Sequence, residues 1–129
     1  LGHILRQAGA NVQVGGNIGV GAGRLLLEPD ADVYVLEVSS YQLEDCPSFR
    51  PDVAVLTNIT PDHLERHGTM AAYADAKARL FAMQKPGSVA IVGKAAQAAW
   101  SVASGEAGFW PVISNPSVTT CTCQSAVLL

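Results

Sequence analysis

V-Y-V-L-E-V-S-S-Y-Q-L-E, from Val33 to Glu44, decides how this chain folds. Four apolar or aromatic residues run in succession without polar alternation, and polar groups break in only at the C-terminal end. That pattern suits a strand buried on both faces, as in a parallel sheet covered by helices. The same design recurs in V-A-V-L-T-N-I-T-P-D-H-L-E-R-H-G, Val53 to Gly68, which is followed by T-M-A-A-Y-A-D-A-K-A-R-L-F, Thr69 to Phe81. A carboxylate (Glu37), an imidazole (His63) and an ammonium (Lys77) are therefore expected at the ends of segments aimed at one region. Open α/β sheets keep their ligand sites at the C-terminal ends of their strands.

Outward from this stretch, strands and helices alternate. Leu1, Ile4, Leu5 and Ala8 stand at helical spacing and are closed by Gly9, which can end a helix in the left-handed conformation. A short strand is expected from Asn11 to Val14, then the turn Gly15-Gly16-Asn17-Ile18-Gly19, then helical character from Val20 to Glu28 until Pro29. Further strands are expected at Val33 to Val38, Val53 to Asn58 and Ser88 to Val92, with turns at Arg50-Pro51-Asp52 and Lys85-Pro86-Gly87. Thr69 can cap a helix from Met70 to about Gln84, on which Met70, Tyr73, Ala74, Lys77, Leu80 and Phe81 share a face. Ala95 to Ala103 allows one more helix, with Trp100, Phe109 and Trp110 as apolar mass for a core or a partner. The expected fold class is α/β, with a mostly parallel sheet flanked by helices. The regular pattern fills residues 1–93 as one partial domain, and residues 94–129 form a tail with no assigned site.

Composition narrows the function classes. The 129 residues are 49% hydrophobic and 15% charged, enough to bury roughly 65–70% of the unfolded surface without disulfides or metals. Eight Lys and Arg against eleven Asp and Glu give a net charge of −3, and no basic run tracks a phosphate backbone, so nucleic acid is not an expected partner. No apolar stretch reaches the ~18–20 residues of a membrane span, and no signal segment opens the chain, which makes the cytoplasm the expected compartment. Cys46, Cys121 and Cys123 are odd in number, and Cys121-Thr122-Cys123 is too tight for the usual zinc-knuckle spacing, so they are expected to be free thiols.

Glu37 closes a buried strand, and a carboxylate at that depth must be paired, protonated or bound to a metal, since an isolated buried charge costs several kcal/mol. His63 follows the next strand at a matching offset. One carboxylate oxygen and one imidazole nitrogen are acceptable to Mg²⁺, which takes one or two protein ligands and completes its octahedron with water and phosphate oxygens. Taken singly, Glu37 reads as the cap of a helical turn and His63 as part of a surface turn; taken together with Lys77 on the following helix, they favour a shared site. The glycine turn at Gly15 to Gly19 lets backbone N–H groups approach an anion, or is simply a tight turn, and it does not match the dinucleotide pattern. Gly93-Lys94 resembles the end of a P-loop, but Gly87 is one residue too far upstream and Ala95 stands where a hydroxyl would hold Mg²⁺. Asp62, Glu65, Arg66 and His67 read as a solvated helix end.

Four motifs in order, Gly15-Gly16-Asn17-Ile18-Gly19, Glu37-Val38-Ser39-Ser40-Tyr41-Gln42-Leu43, Thr57 to Leu64 and Ala76-Lys77-Ala78-Arg79, resemble the central ATP-binding domain of the Mur ligases. The resemblance covers Leu1 to about Gly93 and implies an ATP-dependent amide ligase of peptidoglycan biosynthesis that works through an acyl phosphate. The forms of the glycine turn and of Ser39 to Leu43 point to the branch that joins D-glutamate to UDP-muramoyl-alanine. By similarity, Glu37 and His63 hold Mg²⁺, and Asn17, Ser39 and Gln42 line the muramoyl substrate. Lys77 matches the position that the family carbamylates, where an anionic oxygen on a long stem replaces a charge that would repel Mg²⁺. Lys77 and His63 are thus the implied catalytic groups, with ATP and Mg²⁺ as cofactors. The alternatives are another Mur or folylpolyglutamate-type ligase, or a non-catalytic remnant. The family's phosphate loop and its strand are expected before Leu1, and its flanking domains are not matched, so the chain reads as a fragment that is inactive alone and self-associates through exposed sheet edges.

Overall fold

The computed structural model describes residues 1–104, which form two compact units, Leu1–Ser39 and residues 40–104. Phe109, Trp110, Cys121 and Cys123, and with them most of the expected tail, lie outside the described residues.

The first unit is a βαβ arrangement preceded by a short helix. Helix α1 (Gly2–Gln7) ends where the sequence places its stop, with Gly9 at φ 89°. Arg6 in its last turn donates from Nε and Nη2 to the Val12 carbonyl at 3.2 and 2.9 Å, which fastens the helix to strand β1 (Val12–Gly16). β1 pairs in parallel with β2 (Val33–Glu37), in a register that sets Val12 against Val33 and Gly16 against Glu37. A parallel pair needs a crossover connection, and here it contains α2 (Ala22–Leu25). The helical character expected from Val20 to Glu28 shrinks to this single turn. Gly21 and Gly23 make helix propagation unfavourable at its start, and Leu26 and Leu27 beyond it stay exposed, at 78% and 84%. Asn11 and Gln13 hold the returning chain to β1: Asn11 Nδ2 donates to Asp30 O at 2.9 Å and Gln13 Nε2 to Pro29 O at 2.7 Å.

The second unit holds α3 (Ser40–Asp45), β3 (Val53–Leu56), α4 (Leu64–His67), α5 (Met70–Ala82), β4 (Val89–Val92) and α6 (Lys94–Ser104). β3 and β4 are again parallel, with Val53 against Val89 and Leu56 against Val92. Ala54, Leu56 and Ala90 of the strands, Tyr73, Ala74, Ala78 and Phe81 of α5, and Ala96 and Trp100 of α6 form one apolar core with Ile59. The alanines let α5 lie close on the strands, while Tyr73, Phe81 and Trp100 contribute the large rings of this core. Gln84 Nε2 donates to Val89 O at 2.9 Å and to Pro51 O at 3.3 Å, so the end of α5 pins the starts of both strands.

The fold class is the expected one, α/β with parallel strands and helices. The expectation that each strand is buried on both faces is corrected. β3 alternates, with Ala54 and Leu56 buried and Val53 52% exposed, and its partner Val89 is exposed as well. Each pair has only two strands among the described residues, and the second unit's buried face is the one beneath α5 and α6. Among the described residues no helix is long and apolar enough to cross a membrane, and Cys46 is an exposed free thiol.

Thr69 caps α5 as its position demands: its Oγ1 accepts from the Ala72 N–H at 3.1 Å. Thr69→Ala is expected to destabilise the chain by about 1 kcal/mol, the usual value of such a cap, read as a lower midpoint in urea with an unchanged slope.

Candidate functional site

In the first unit the glycine turn and Glu37 are built as one piece. β1 delivers Gly16 opposite Glu37, and Gly16 sits at φ 118°, in the region open to glycine. An added Cβ at Gly16 would run into the Glu37 carbonyl oxygen. The Gly16 N–H donates to Val20 O and the Asn17 N–H to Glu37 O, both at 2.8 Å, so the turn closes on itself while its edge holds the end of β2. The Asn17 side chain is exposed beside this joint. Glu37 Oε2 is buried and has no hydrogen-bond partner among the described residues. A buried carboxylate oxygen without a donor is the arrangement the sequence demanded be resolved by pairing, protonation or a cation. Ser39 ends the first unit two residues on, and Gln42 lies half-buried on α3 in the second.

In the second unit α3, α4 and α5 gather rings and charges. His63 caps α4 at φ 54°, ψ 28°, the one non-glycine residue at positive φ among the described residues. Such a conformation costs of order 1 kcal/mol and clusters at functional sites. The His63 ring is 39% exposed, with Nε2 3.4 Å from Asp62 Oδ2 and Nδ1 3.6 Å from Glu65 Oε1. It packs against Tyr41 at 4.8 Å between ring centroids and meets Tyr73 edge-on at 6.4 Å. Lys77 Nζ stands 5.0 Å over the same Tyr73 ring, and among the described residues no carboxylate lies within ion-pair distance of it. Tyr73 thus links His63 to Lys77.

Around them runs a layer of paired charges. Arg66 Nε donates to Glu44 Oε2 at 3.1 Å and its guanidinium lies 4.5 Å over the Tyr41 ring, while the Tyr41 hydroxyl donates to Glu65 Oε1 at 3.2 Å. Loss of water contact, followed by the Glu65 charge, raises the Tyr41 phenol above its ordinary value. Glu65 is held below the usual carboxylate value by its own backbone N–H, and further by the Tyr41 hydroxyl and His63. Arg79 Nε donates to Leu43 O at 3.1 Å and closes the end of α3.

The structure brings Asn17 and Glu37 together in the first unit, and His63 and Lys77 in the second by way of Tyr73. It corrects one expectation outright: His67 does not belong to a solvated helix end, because its side chain is only 2% exposed, with Nε2 3.0 Å from Ser40 Oγ and Nδ1 3.5 Å from Glu44 Oε1. Ser40, Tyr41 and Tyr73 were likewise missed as site residues. The signal available for them was spacing: Ser40 and Glu44, like His63 and His67, stand four apart and face the same side of a helical turn. Among the described residues no three His, Cys, Asp or Glu side chains converge as a metal-binding group. A cation held by one or two protein atoms is the arrangement suited to Mg²⁺ completed by water and phosphate, and the unpartnered Glu37 Oε2 fits it.

The family model for the Mur ligase middle domain matches residues 1–110. A relative from Pelotomaculum thermopropionicum, named UDP-N-acetylmuramoylalanine--D-glutamate ligase, is 55% identical over 97 residues, which cover 71% of this chain and 20% of that protein. Proteins of the same name from Caulobacter sp. strain K31 and Oleidesulfovibrio alaskensis are 53% and 50% identical over 93 and 94 residues, 72% and 69% of this chain. The chain spans about a fifth of the length of the curated relatives it matches.

Proposed function

The chain belongs to the Mur ligase middle-domain family, and from that premise we propose that it is the central part of an ATP-dependent ligase that joins D-glutamate to UDP-N-acetylmuramoyl-alanine in the cytoplasm, during peptidoglycan biosynthesis. The name shared by relatives at 50–55% identity carries this proposal. ATP phosphorylates the muramoyl-alanine carboxylate, the amine of D-glutamate attacks the acyl phosphate, and the tetrahedral intermediate expels phosphate. Residues 1–93 supply the part of the site found in this chain. Asn17, exposed beside the glycine turn, is given to the muramoyl substrate together with Ser39 and Gln42. Glu37 and His63 would each hold a Mg²⁺ ion, and the charge of such ions would neutralise the phosphoryl oxygens during transfer. For Glu37 the support is its buried, unpartnered oxygen; for His63 it is the left-handed backbone that presents its ring between two tyrosines.

Lys77 is given the carbamate. Among the described residues no carboxylate lies within ion-pair distance of Lys77, so its amine, once deprotonated, is available to add to CO₂ and release a proton, which leaves the anionic N-carboxylate. The carbamate oxygen then presents negative charge where an ammonium would repel a cation.

Two measurements test this. In the first, the matched stretch of the Pelotomaculum relative is replaced by the corresponding residues of this chain, and phosphate release is followed with ATP, Mg²⁺, UDP-muramoyl-alanine and D-glutamate. Turnover within about tenfold of the parent is expected, and a well-folded chimera with none would overturn the assignment. The second is a titration of the 129-residue chain with Mn²⁺, followed by water proton relaxation. Weak binding is expected that Glu37→Ala and His63→Ala each diminish; binding unchanged in both variants removes these residues from the metal site.

A further inference from the structure

His67 has no part in the chemistry assigned above, yet its side chain is only 2% exposed. A buried imidazole must find partners for both ring nitrogens. Both lie on α3: Ser40 Oγ is 3.0 Å from Nε2 and Glu44 Oε1 is 3.5 Å from Nδ1. Ser40 and Glu44 are one helical turn apart, so a single ring from the end of α4 clasps α3 along one face. The order Ser40, His67, Glu44 has the outline of a nucleophile, base and acid, but Ser40 is itself 2% exposed and gives no access to a substrate carbonyl.

The ring's surroundings point elsewhere. His67 stacks on Tyr41 at 5.7 Å with 28° between planes, and packs against Tyr73 at 5.4 Å and 46°. The same two tyrosines flank His63, and Tyr73 lies under the Lys77 ammonium. Gly68 follows His67 at φ 75° and ends α4 immediately after the clasp, with its N–H bonded to Leu64 O at 2.8 Å. We propose that His67 is a positioning residue: it fixes Tyr41 and Tyr73 in the orientation that seats the His63 ring and the Lys77 amine. This rests on the roles given to those two residues above. Groups displaced by about 1 Å from productive geometry lose up to about two orders of magnitude in rate, and without the imidazole's contacts to Ser40 and Glu44 and its flat face neither tyrosine is held to α3 in that orientation.

The test uses His67→Leu, which fills the space without either polar contact, His67→Gln, whose amide can still reach Ser40, and the double variant Ser40→Ala with His67→Leu. In the chimera, His67→Leu is expected to lower kcat about tenfold or more while KM for D-glutamate changes little, and His67→Gln to recover part of the loss. The double variant removes the orphaned Ser40 hydroxyl that the single one leaves behind, so its thermal midpoint should rise back toward that of the parent while kcat stays low. Recovery of kcat together with the midpoint would overturn the proposal, because His67 would then act through stability alone. Independently of turnover, the His63 and Tyr73 ring signals of the 129-residue chain, followed by NMR, should move in His67→Leu while the methyl signals of Val12 and Leu25 stay in place. Ring signals that do not move would also overturn it. A chimera inactive with His67 intact counts against the proposed ligase activity, and the NMR result still decides the positioning role.

Discussion

Lys77→Ala in the ligase chimera is expected to lower turnover by at least about 10²–10³-fold, the usual cost of removing one well-placed electrostatic group from a phosphoryl or acyl transfer site. The structural part of that change is small. Lys77 makes a cation–π contact with Tyr73 at 5.0 Å and no ion pair among the described residues, so its removal forfeits about 0.5–1 kcal/mol of local stability. A near-complete loss of turnover with a thermal midpoint within a few degrees of the parent therefore reports on chemistry. If the working group is a carbamate, acetate or formate added to the Lys77→Ala protein should restore part of the activity by placing a carboxylate oxygen where the N-carboxylate stood. Turnover near the parent value without any added acid would show Lys77 to be an ordinary half-buried lysine.

The largest effect on stability is expected at Gly16. Substitution by alanine forces a side chain into a backbone at φ 118°, a conformation that costs about 1–3 kcal/mol for a residue with a Cβ. The new Cβ also collides with the Glu37 backbone across the β1–β2 pair, and overpacking of this kind adds about 1–3 kcal/mol. The two arise at the same joint and cannot both be relieved by one small shift, because moving Gly16 away from Glu37 breaks the Asn17 N–H bond to Glu37 O. Gly16→Ala is thus expected to lower the midpoint of thermal unfolding, followed by circular dichroism, by roughly 10 °C or more. Gly19→Ala, at φ 76° but with open space around its Cβ position, should cost less. Equal effects at the two positions would show that the close approach to Glu37 does not matter.

Much of the fold was legible because it is written in local signals. Four apolar runs between Gly, Pro and Asp punctuation became four strands, displaced by no more than two residues at any end. The cap at Thr69 and the face shared by Tyr73, Ala74 and Phe81 appeared as their spacing requires. Local signals failed where they competed with each other. From Val20 to Glu28 the apolar spacing favoured a helix, but Gly21 and Gly23 opposed it, and one turn survived. α3 was not anticipated beyond a helical turn, since its six residues are too few for a periodic pattern to stand out.

The candidate site divides along the same line. Glu37, His63 and Lys77 stand out in the sequence as candidates because a polar residue at the end of an apolar strand, or on the buried side of a helix, contrasts with its surroundings. His67 was not, because burial is a property of what packs on a residue, and D-H-L-E-R-H-G is polar enough to pass for a surface turn. Only the tertiary structure lays Tyr41 and Tyr73 over that imidazole and turns its nitrogens to Ser40 and Glu44. By itself the sequence determined the parallel α/β architecture, the family motifs and the chemical types at the strand ends, since these depend on residue identity and on periods of two and 3.6. The tertiary structure alone decided which strand faces are covered, that Glu37 Oε2 lacks a donor among the described residues, and that His67 is enclosed. Those facts depend on contacts between residues far apart in the chain, and no local period encodes them.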